Sequence, residues 1–228
     1  MITIICVVLN QADELNQTIQ SVKSLNRKVE LIVVDGKSND GTLDIIKGHD
    51  DFINSWISEK DNGIYDAFNK GWNMASENSH VLYLGAGDKI LKLPKESVLR
   101  FSDVLYGNVI LEGRYTFISK ADFRLKLGNT LHHQALLVKK SLLKASPFDT
   151  NFKTYADFDL NQRLLKSGAV FSSCPNLLAS AIPDGVSHHF NWKESLSVVR
   201  HNYGIYLTGL AFCYYVFQFL IEKINMNN

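Results

Sequence analysis

At 228 residues the chain is long enough for one well-filled domain with at most a small appendage. Hydrophobic residues at 46% and charged residues at 21% exclude a disordered or low-complexity chain. A formal net charge of +1 lacks the signature of a nucleic-acid binder, and three scattered cysteines (Cys6, Cys174, Cys213) with no CxxC pair point to neither a disulfide framework nor a zinc site and fit a reducing cytoplasm.

Residues 2 to 9 are continuously apolar and rich in β-branched types, as in a strand covered on both faces. This opening run, ITIICVVL, has no basic flank and is shorter than a bilayer span, so a first strand is expected rather than a targeting segment. Leu15, Ile19 and Val22 then recur at helical spacing behind the polar Asn10 to Glu14. A second buried strand, Leu31 to Val34, runs into Asp35 and the turn-rich GKSNDGT, followed by a helix carrying Leu43 and Ile46. Phe52 to Ile57 is expected as a strand, Ile64, Phe68, Trp72 and Ala75 as one face of a helix, and Val81 to Leu84 as a strand ending in GAGD. Strand and helix in such alternation predict a parallel α/β sheet. The order then changes. Residues 104 to 118 are expected as antiparallel strands turning at Glu112 and Gly113, Ala135 to Val138 as another strand, Phe158 to Leu165 as a helix and Ala169 to Ser172 as a short strand. The fold class is therefore α/β, a mixed, mostly parallel central sheet flanked by helices, with ligands where the parallel strands end.

Four clusters can carry chemistry. Asp35 with Ser38, Asn39, Asp40, Gly41 and Thr42 stands at the end of a strand and the start of a helix, where a carboxylate meets ribose or base groups; an ordinary turn uses the same residue types. SEKDNGIYDAFNKG, residues 58 to 71, joins a polar loop to a helix on which Asp66 and Lys70 are spaced for an ion pair. In LYLGAGDK a buried strand opens into glycines and Asp88, a place for close ligand approach and for one carboxylate on a hard cation. In YADFDLNQRLLKSG, Asp157 and Asp159 are two apart, so on a helix they cannot both face one cleft, and Asp159 can pair with Arg163.

In this order, VVLN, IVVDGKSNDGT, SEKDNGIYDAFNKG, YLGAGD, HHQA and TYADFDLNQRLLKSG resemble family 2 glycosyltransferases, above all the bacterial branch that builds capsule, exopolysaccharide and O-antigen units. The resemblance spans residues 1 to 190 and implies a GT-A (nucleotide-diphospho-sugar transferase) fold with inversion at the sugar carbon. It implies a catalytic domain over 1–195 and a C-terminal apolar helical segment over 196–228. Carried over by position, it assigns Asn10, Glu14, Asp35, Ser38, Asp40, Asp61, Gly63, Asp66, Lys70 and Gly87 to nucleotide or donor binding. His133 and Gln134 fall near the donor sugar or acceptor. Asp88 takes the place of the last aspartate of the metal-binding DxD motif, and Asp157 that of the catalytic base in the ED pair. Two positions depart: Ala86 stands where DxD has its first aspartate, and Ala156 where the ED pair has its glutamate. The implied cofactor is a divalent cation, Mn²⁺ or Mg²⁺, with His188 or His189 in DGVSHHF as a candidate further contact. The implied partners are a nucleotide-sugar donor, UDP-sugar by preference, and a lipid-linked saccharide acceptor, with no nucleic acid.

The stretch Ile205 to Ile221, IYLTGLAFCYYVFQFLI, carries no charge and lies between Arg200, His201 and Lys223. A buried terminal helix, a homo-oligomer contact and an interfacial helix at the cytoplasmic membrane face all fit it, the resemblance favouring the last. Two other functions compete: a nucleotidyltransferase, which would need a glycine-rich basic loop that ITIICVVLNQADE lacks, and a non-catalytic sugar- or nucleotide-binding partner subunit.

Overall fold

A computed structural model describes residues 1–182 and 190–226 of the chain. The first half is built as alternation demands: β1 (Ile2–Val8), α1 (Ala12–Ser24), β2 (Glu30–Asp35), α2 (Thr42–Gly48), β3 (Ser55–Ser58), α3 (Ile64–Met74) and β4 (His80–Gly85). Then follow β5 (Lys89–Lys92), a single turn α4 (Glu96–Leu99), β6 (Val104–Leu111), β7 (Tyr115–Phe117), β8 (Leu136–Lys139), α5 (Ala156–Lys166), β9 (Phe171–Ala181) and α6 (Trp192–Met226). Among the described residues the strands form one mixed sheet in the order β3-β2-β1-β4-β8-β6-β9-β5, with β7 paired to β6. β3, β2, β1 and β4 are mutually parallel, whereas β8 is antiparallel to both β4 and β6.

Why β1 and β2 read as unbroken apolar runs is clear from their two faces. Ile5, Val7, Ile32 and Val34 join Phe68, Trp72, Tyr83 and Phe158 in one core, beneath α3 and α5. Ile4, Cys6, Leu31 and Val33 join Leu15, Ile19 and Ile46 in a second core, beneath α1 and α2. A side-chain period of two thus feeds both layers. Both cores stop at the carboxyl edge, where Asp35, Gly85 and the loops behind them turn polar.

Two strand expectations shift, and one strand is unforeseen. The run from Phe52 pairs only from Ser55, because residues before it turn; there Asn54 imitates a strand, its Oδ1 accepting from Leu31 N at 2.8 Å. The short strand expected at Ala169 to Ser172 is the long β9, which continues through Pro175 by bulging away from β6 between Tyr106 and Asn108. β5 is an edge strand that the sequence pattern did not indicate.

Helix α6 starts at Trp192, ahead of the expected boundary at 196, and breaks at Gly204 (φ 78°, ψ −176°). Its first half packs on α5, with Asn202 Nδ2 donating to Asp159 Oδ1 at 2.9 Å. By length and composition α6 is the one helix among the described residues that could cross a membrane.

Candidate active site

The loops after β1 and β2 are zipped together by the polar residues that follow each strand. Asn10, held at φ 52°, donates its backbone N–H to Ser38 Oγ at 2.8 Å and accepts from Asn39 N at 2.9 Å. Asp40 accepts from Ala12 N (3.1 Å) with one oxygen and from the Thr42 hydroxyl (2.6 Å) with the other, and the Thr42 bond holds its carboxyl below the usual range. Asp35, fully buried at the tip of β2, accepts from Ser38 N at 3.1 Å and from Ser58 Oγ at 2.5 Å. These bonds fix the wall on which Asp35 stands.

Asp61 leans on the same wall. A Cβ placed on Gly36 would lie 2.8 Å from Asp61 Oδ2, so only glycine allows this approach. Its other oxygen accepts from Gly63 N, ahead of α3. Asp66 accepts from Asn62 N at 2.9 Å, and Lys70 Nζ bonds the Lys60 carbonyl (2.8 Å) and Glu59 (3.0 Å) more closely than Asp66 (3.8 Å). The i,i+4 pair is therefore the lesser part of what Lys70 does; its amine mainly ties α3 to the polar loop before it.

Two strands along, the turn after β4 is pinned to α1. The backbone N–H of Gly87, at φ 94°, donates to Thr18 Oγ1 (2.9 Å) and the Glu14 carbonyl (3.2 Å), and the Thr18 hydroxyl donates to the Asp88 carbonyl (2.8 Å). Asp88 is buried; its Oδ2 accepts from Gly85 N at 2.9 Å. Burial pushes its carboxyl up, partly offset by His133, Gly85 N–H and Gln134 beside it.

His133 also faces Asp157, with Nδ1 3.6 Å from Oδ2. Asp157 lies in the first turn of α5, and its Oδ1 accepts from Phe158 N (2.8 Å) while Oδ2 accepts from Asn129 Nδ2 (3.2 Å). The Tyr65 hydroxyl donates to the Thr154 carbonyl (2.7 Å) and lies 3.3 Å from Asp157 Oδ1. Burial and this carboxylate push the Tyr65 phenol well up, so it stays a donor. Glu194 of α6 accepts from both Thr154 N and Tyr155 N, fixing the start of α5. Asp159 points elsewhere, to Arg163 (2.7 Å) and Asn202.

Asp88, His133, Gln134 and Asp157 thus meet in one place. Asp35 stands on the same edge, two strand spacings or about 10 Å across the sheet from the end of β4. Tyr65, Asn129 and Thr18 join the site without having been singled out in the sequence. Tyr65 lies within SEKDNGIYDAFNKG, whose polar loop and helix start marked that segment, whereas the LGNT stretch that carries Asn129 gave no signal. His188 and His189 lie outside the described residues.

Among the described residues no three His, Cys, Asp or Glu side chains group as a metal cage. The donors present, one buried carboxylate at Asp88 with one oxygen already bonded to Gly85 N–H, fit a divalent ion that brings most of its oxygen ligands with it.

A sequence profile described as Glycosyl transferase family 2 matches residues 3–133. The chain is 28% identical over 212 residues to a PGL/p-HBAD biosynthesis glycosyltransferase of Mycobacterium bovis, covering 86% of this chain and 82% of that one. It is 24% identical over 256 residues to a dolichyl N-acetyl-alpha-D-glucosaminyl phosphate 3-beta-D-2,3-diacetamido-2,3-dideoxy-beta-D-glucuronosyltransferase of Methanococcus voltae, covering 86% and 77%. Among solved structures, S. aureus TarS superposes with a TM-score of 0.67 at 18% identity over 86% of this chain, which spans only 38% of that protein. Glucosyl-3-phosphoglycerate synthase from Mycobacterium tuberculosis, solved with Mn²⁺, UDP and glucosyl-3-phosphoglycerate, superposes with a TM-score of 0.64 at 18% identity, covering 90% and 80%. These likenesses establish the GT-A-like fold.

Proposed function

The chain belongs to glycosyltransferase family 2 and is a nucleotide-sugar-dependent glycosyltransferase, and from that premise we propose that it transfers a sugar, with inversion, to a hydroxyl of a lipid-linked saccharide during cell-surface polysaccharide synthesis of the capsule, exopolysaccharide or O-antigen type. The observation that carries this reading is the meeting of Asp157, His133 and Asp88 beside the wall that holds Asp35. In the proposed step Asp157 takes the proton from the acceptor hydroxyl as its oxygen bonds to the anomeric carbon, and the bond from that carbon to the diphosphate breaks. Asp35 and Asp61 receive the nucleoside, Glu14, Gly87 and Lys70 border the diphosphate, and His133 and Gln134 contact the sugars. Asp88 would hold the cation, Mn²⁺ or Mg²⁺, and a cation there neutralises charge on the leaving diphosphate. Mn²⁺ and UDP in glucosyl-3-phosphoglycerate synthase support the choice of metal and nucleotide. The dolichyl N-acetyl-alpha-D-glucosaminyl phosphate in the name of the Methanococcus voltae relative supports a lipid-linked saccharide acceptor. In this reading residues 1–195 are the catalytic domain, and the 196–228 segment, anchored to it through the buried Val198, Val199 and Asn202, brings it peripherally to the inner face of the cytoplasmic membrane.

A thermal-shift panel of nucleoside diphosphates with and without Mn²⁺ tests it. Ligand at 100 times its Kd stabilises by about 2.7 kcal/mol, and a chain of this size gains roughly 2–4 °C per kcal/mol. UDP with Mn²⁺ should raise Tm by roughly 5–10 °C; no shift with any nucleoside diphosphate would sink the proposal. Asp35→Asn keeps the shape of the wall and removes the charge, and should weaken UDP binding about tenfold, or ~1.4 kcal/mol, by calorimetry.

Asp88 gives a prediction of mixed sign. Its carboxyl pKa is raised above the ordinary 3.8, so the native chain holds this proton more tightly than the unfolded chain does. Stability therefore falls as pH rises from that ordinary value through the raised one, and near neutrality the ionised Asp88 is a net cost. Asp88→Asn should leave the ligand-free Tm equal or higher at pH 7, abolish the extra shift that Mn²⁺ adds to UDP, and lower transfer by about 10²-fold, a loss in the range of one removed electrostatic contact to the leaving group. A ligand-free Tm that falls at pH 7 but not at pH 4 would contradict the sign.

A further inference from the structure

Resting on the membrane association proposed above, we infer that α6 beyond Gly204 lies flat on an anionic lipid surface, and that its seat extends to Phe123, Lys126, Trp192 and Lys193 on either side of it. The helix is pinned to the domain along one side. Ala211 is fully buried, and Tyr214 and Tyr215 pack on Gly128. The Tyr215 hydroxyl bonds Ser195 Oγ (2.6 Å) and the Leu127 carbonyl (2.7 Å). A crossing would have to break these Tyr215 bonds and pull Ala211 from the domain; a helix held to the domain along one side and apolar along the other lies on the surface instead.

The opposite side is exposed and apolar throughout. Tyr206 is 93% exposed, Phe217 60% and Phe219 63%, with Ile205, Leu210, Phe212, Val216 and Leu220 beside them. No charged residue occurs from Ile205 to Ile221. The flanks carry the chemistry of a bilayer interface, aromatic rings with cations above them. Lys126 Nζ lies 5.6 Å from the Phe123 ring and 5.8 Å from Tyr203, and Lys193 Nζ 5.8 Å from Trp192, whose ring is 6.4 Å from Phe212. Such side chains lay their stems along apolar surface and lift their heads to phosphates. A second copy fits less well. A two-fold contact over this face would bring the lysine rims of both copies together, while Glu194 is turned inward onto Thr154 and Tyr155 and Asp122 is held by Arg124. The seat also explains why α6 clamps Leu127. Two residues on, Asn129 bonds the Asp157 carboxylate, so the helix that rests on lipid borders the proposed base.

Vesicle sedimentation of the full chain tests this, comparing phosphatidylcholine alone with the same lipid containing phosphatidylglycerol. Wild type should bind the anionic vesicles and be released by alkaline carbonate. The double variant Phe217→Glu/Phe219→Glu should lose binding at least tenfold. Lys126→Gln/Lys193→Gln should lose roughly 10- to 30-fold on anionic vesicles, as expected for two cations at such a surface, and little on neutral ones. The UDP-dependent thermal shift should be unchanged in every variant, so loss of donor binding in wild type would count against the catalytic reading and not against this one. Absence of vesicle binding, resistance to carbonate, or a concentration-dependent dimer broken by Phe217→Glu without vesicle binding would each overturn the lipid seat.

Discussion

Asp157→Asn should lower kcat by about 10³-fold while UDP affinity stays within about threefold. A positioned general base contributes roughly 10²–10⁴-fold, and the amide keeps the volume of the carboxylate but cannot take the acceptor's proton. Folding should survive. The amide oxygen of this variant can still accept from Phe158 N, the shortest bond Asp157 makes, while its NH₂ takes the place of Oδ2 and can no longer accept from Asn129 Nδ2, at a cost of about 1–2 kcal/mol. Because the loss falls on the chemical step, kcat and kcat/KM should drop together. Steady-state transfer followed by UDP release, paired with calorimetric UDP titration, reads both quantities. Transfer at the wild-type rate would remove Asp157 as the base. His133 would then be the remaining group within reach, and a rate surviving in Asp157→Asn but not in His133→Gln would identify it.

In the parallel half β1, β2 and β4 were legible because each is buried on both faces and so reads as a short apolar run that stops at a polar tip, whereas β3, SWIS, is only half-buried and its start was misplaced. Asp35 and Asp88 stand at such tips, where hydrophobicity ends and turn chemistry begins, but an ordinary turn uses the same residue types, and the resemblance was needed to single them out. Opposite orientation of Asp157 and Asp159 followed from helix geometry, and the first does face the site while the second ties α5 to α6. The second half was less readable. FSSCPNLLASA has too many small polar residues and a proline to look like an 11-residue strand; its two ends pair with β6, and its second half also with β5, on either side of the bulge around Pro175. Tyr65 meets Asp157 across 92 positions of sequence and Asn129 across 28. No local pattern encodes contacts of that range, since they exist only once α3 and α5 are packed on one face of the sheet. The family resemblance supplied the roles; the fold supplied their neighbours.

Gly107→Ala should be the most damaging single-methyl change in the chain, and its effect should reach the donor site. Gly107 sits where β9 bulges past β6, and a Cβ there would lie 1.8 Å from the Leu177 carbonyl oxygen and 2.6 Å from its carbon. Backbone cannot swing aside as a flexible side chain can, so β9 itself must move. Overpacking that shifts backbone costs typically about 1–3 kcal/mol and occasionally more; at about 3 kcal/mol, the top of that range, Tm falls by roughly 6–12 °C. Gly113 provides the contrast. It has φ 71° with nothing within 4 Å of an added Cβ, so Gly113→Ala meets only the left-handed penalty of about 1–2 kcal/mol. The functional link runs along β9. After its last residue, Ala181, the Ile182 side chain fills the space over Gly87, 2.4 Å from where a Cβ on that glycine would stand. Gly87 precedes Asp88, so a displaced β9 disturbs the turn on which that carboxylate rides. Gly107→Ala that remains folded at low temperature should therefore bind UDP with Mn²⁺ less tightly than Gly113→Ala does. Equal melting temperatures for the two variants would show that β9 yields at Pro175 without strain, and the proposed path from the bulge to Asp88 would be lost with it.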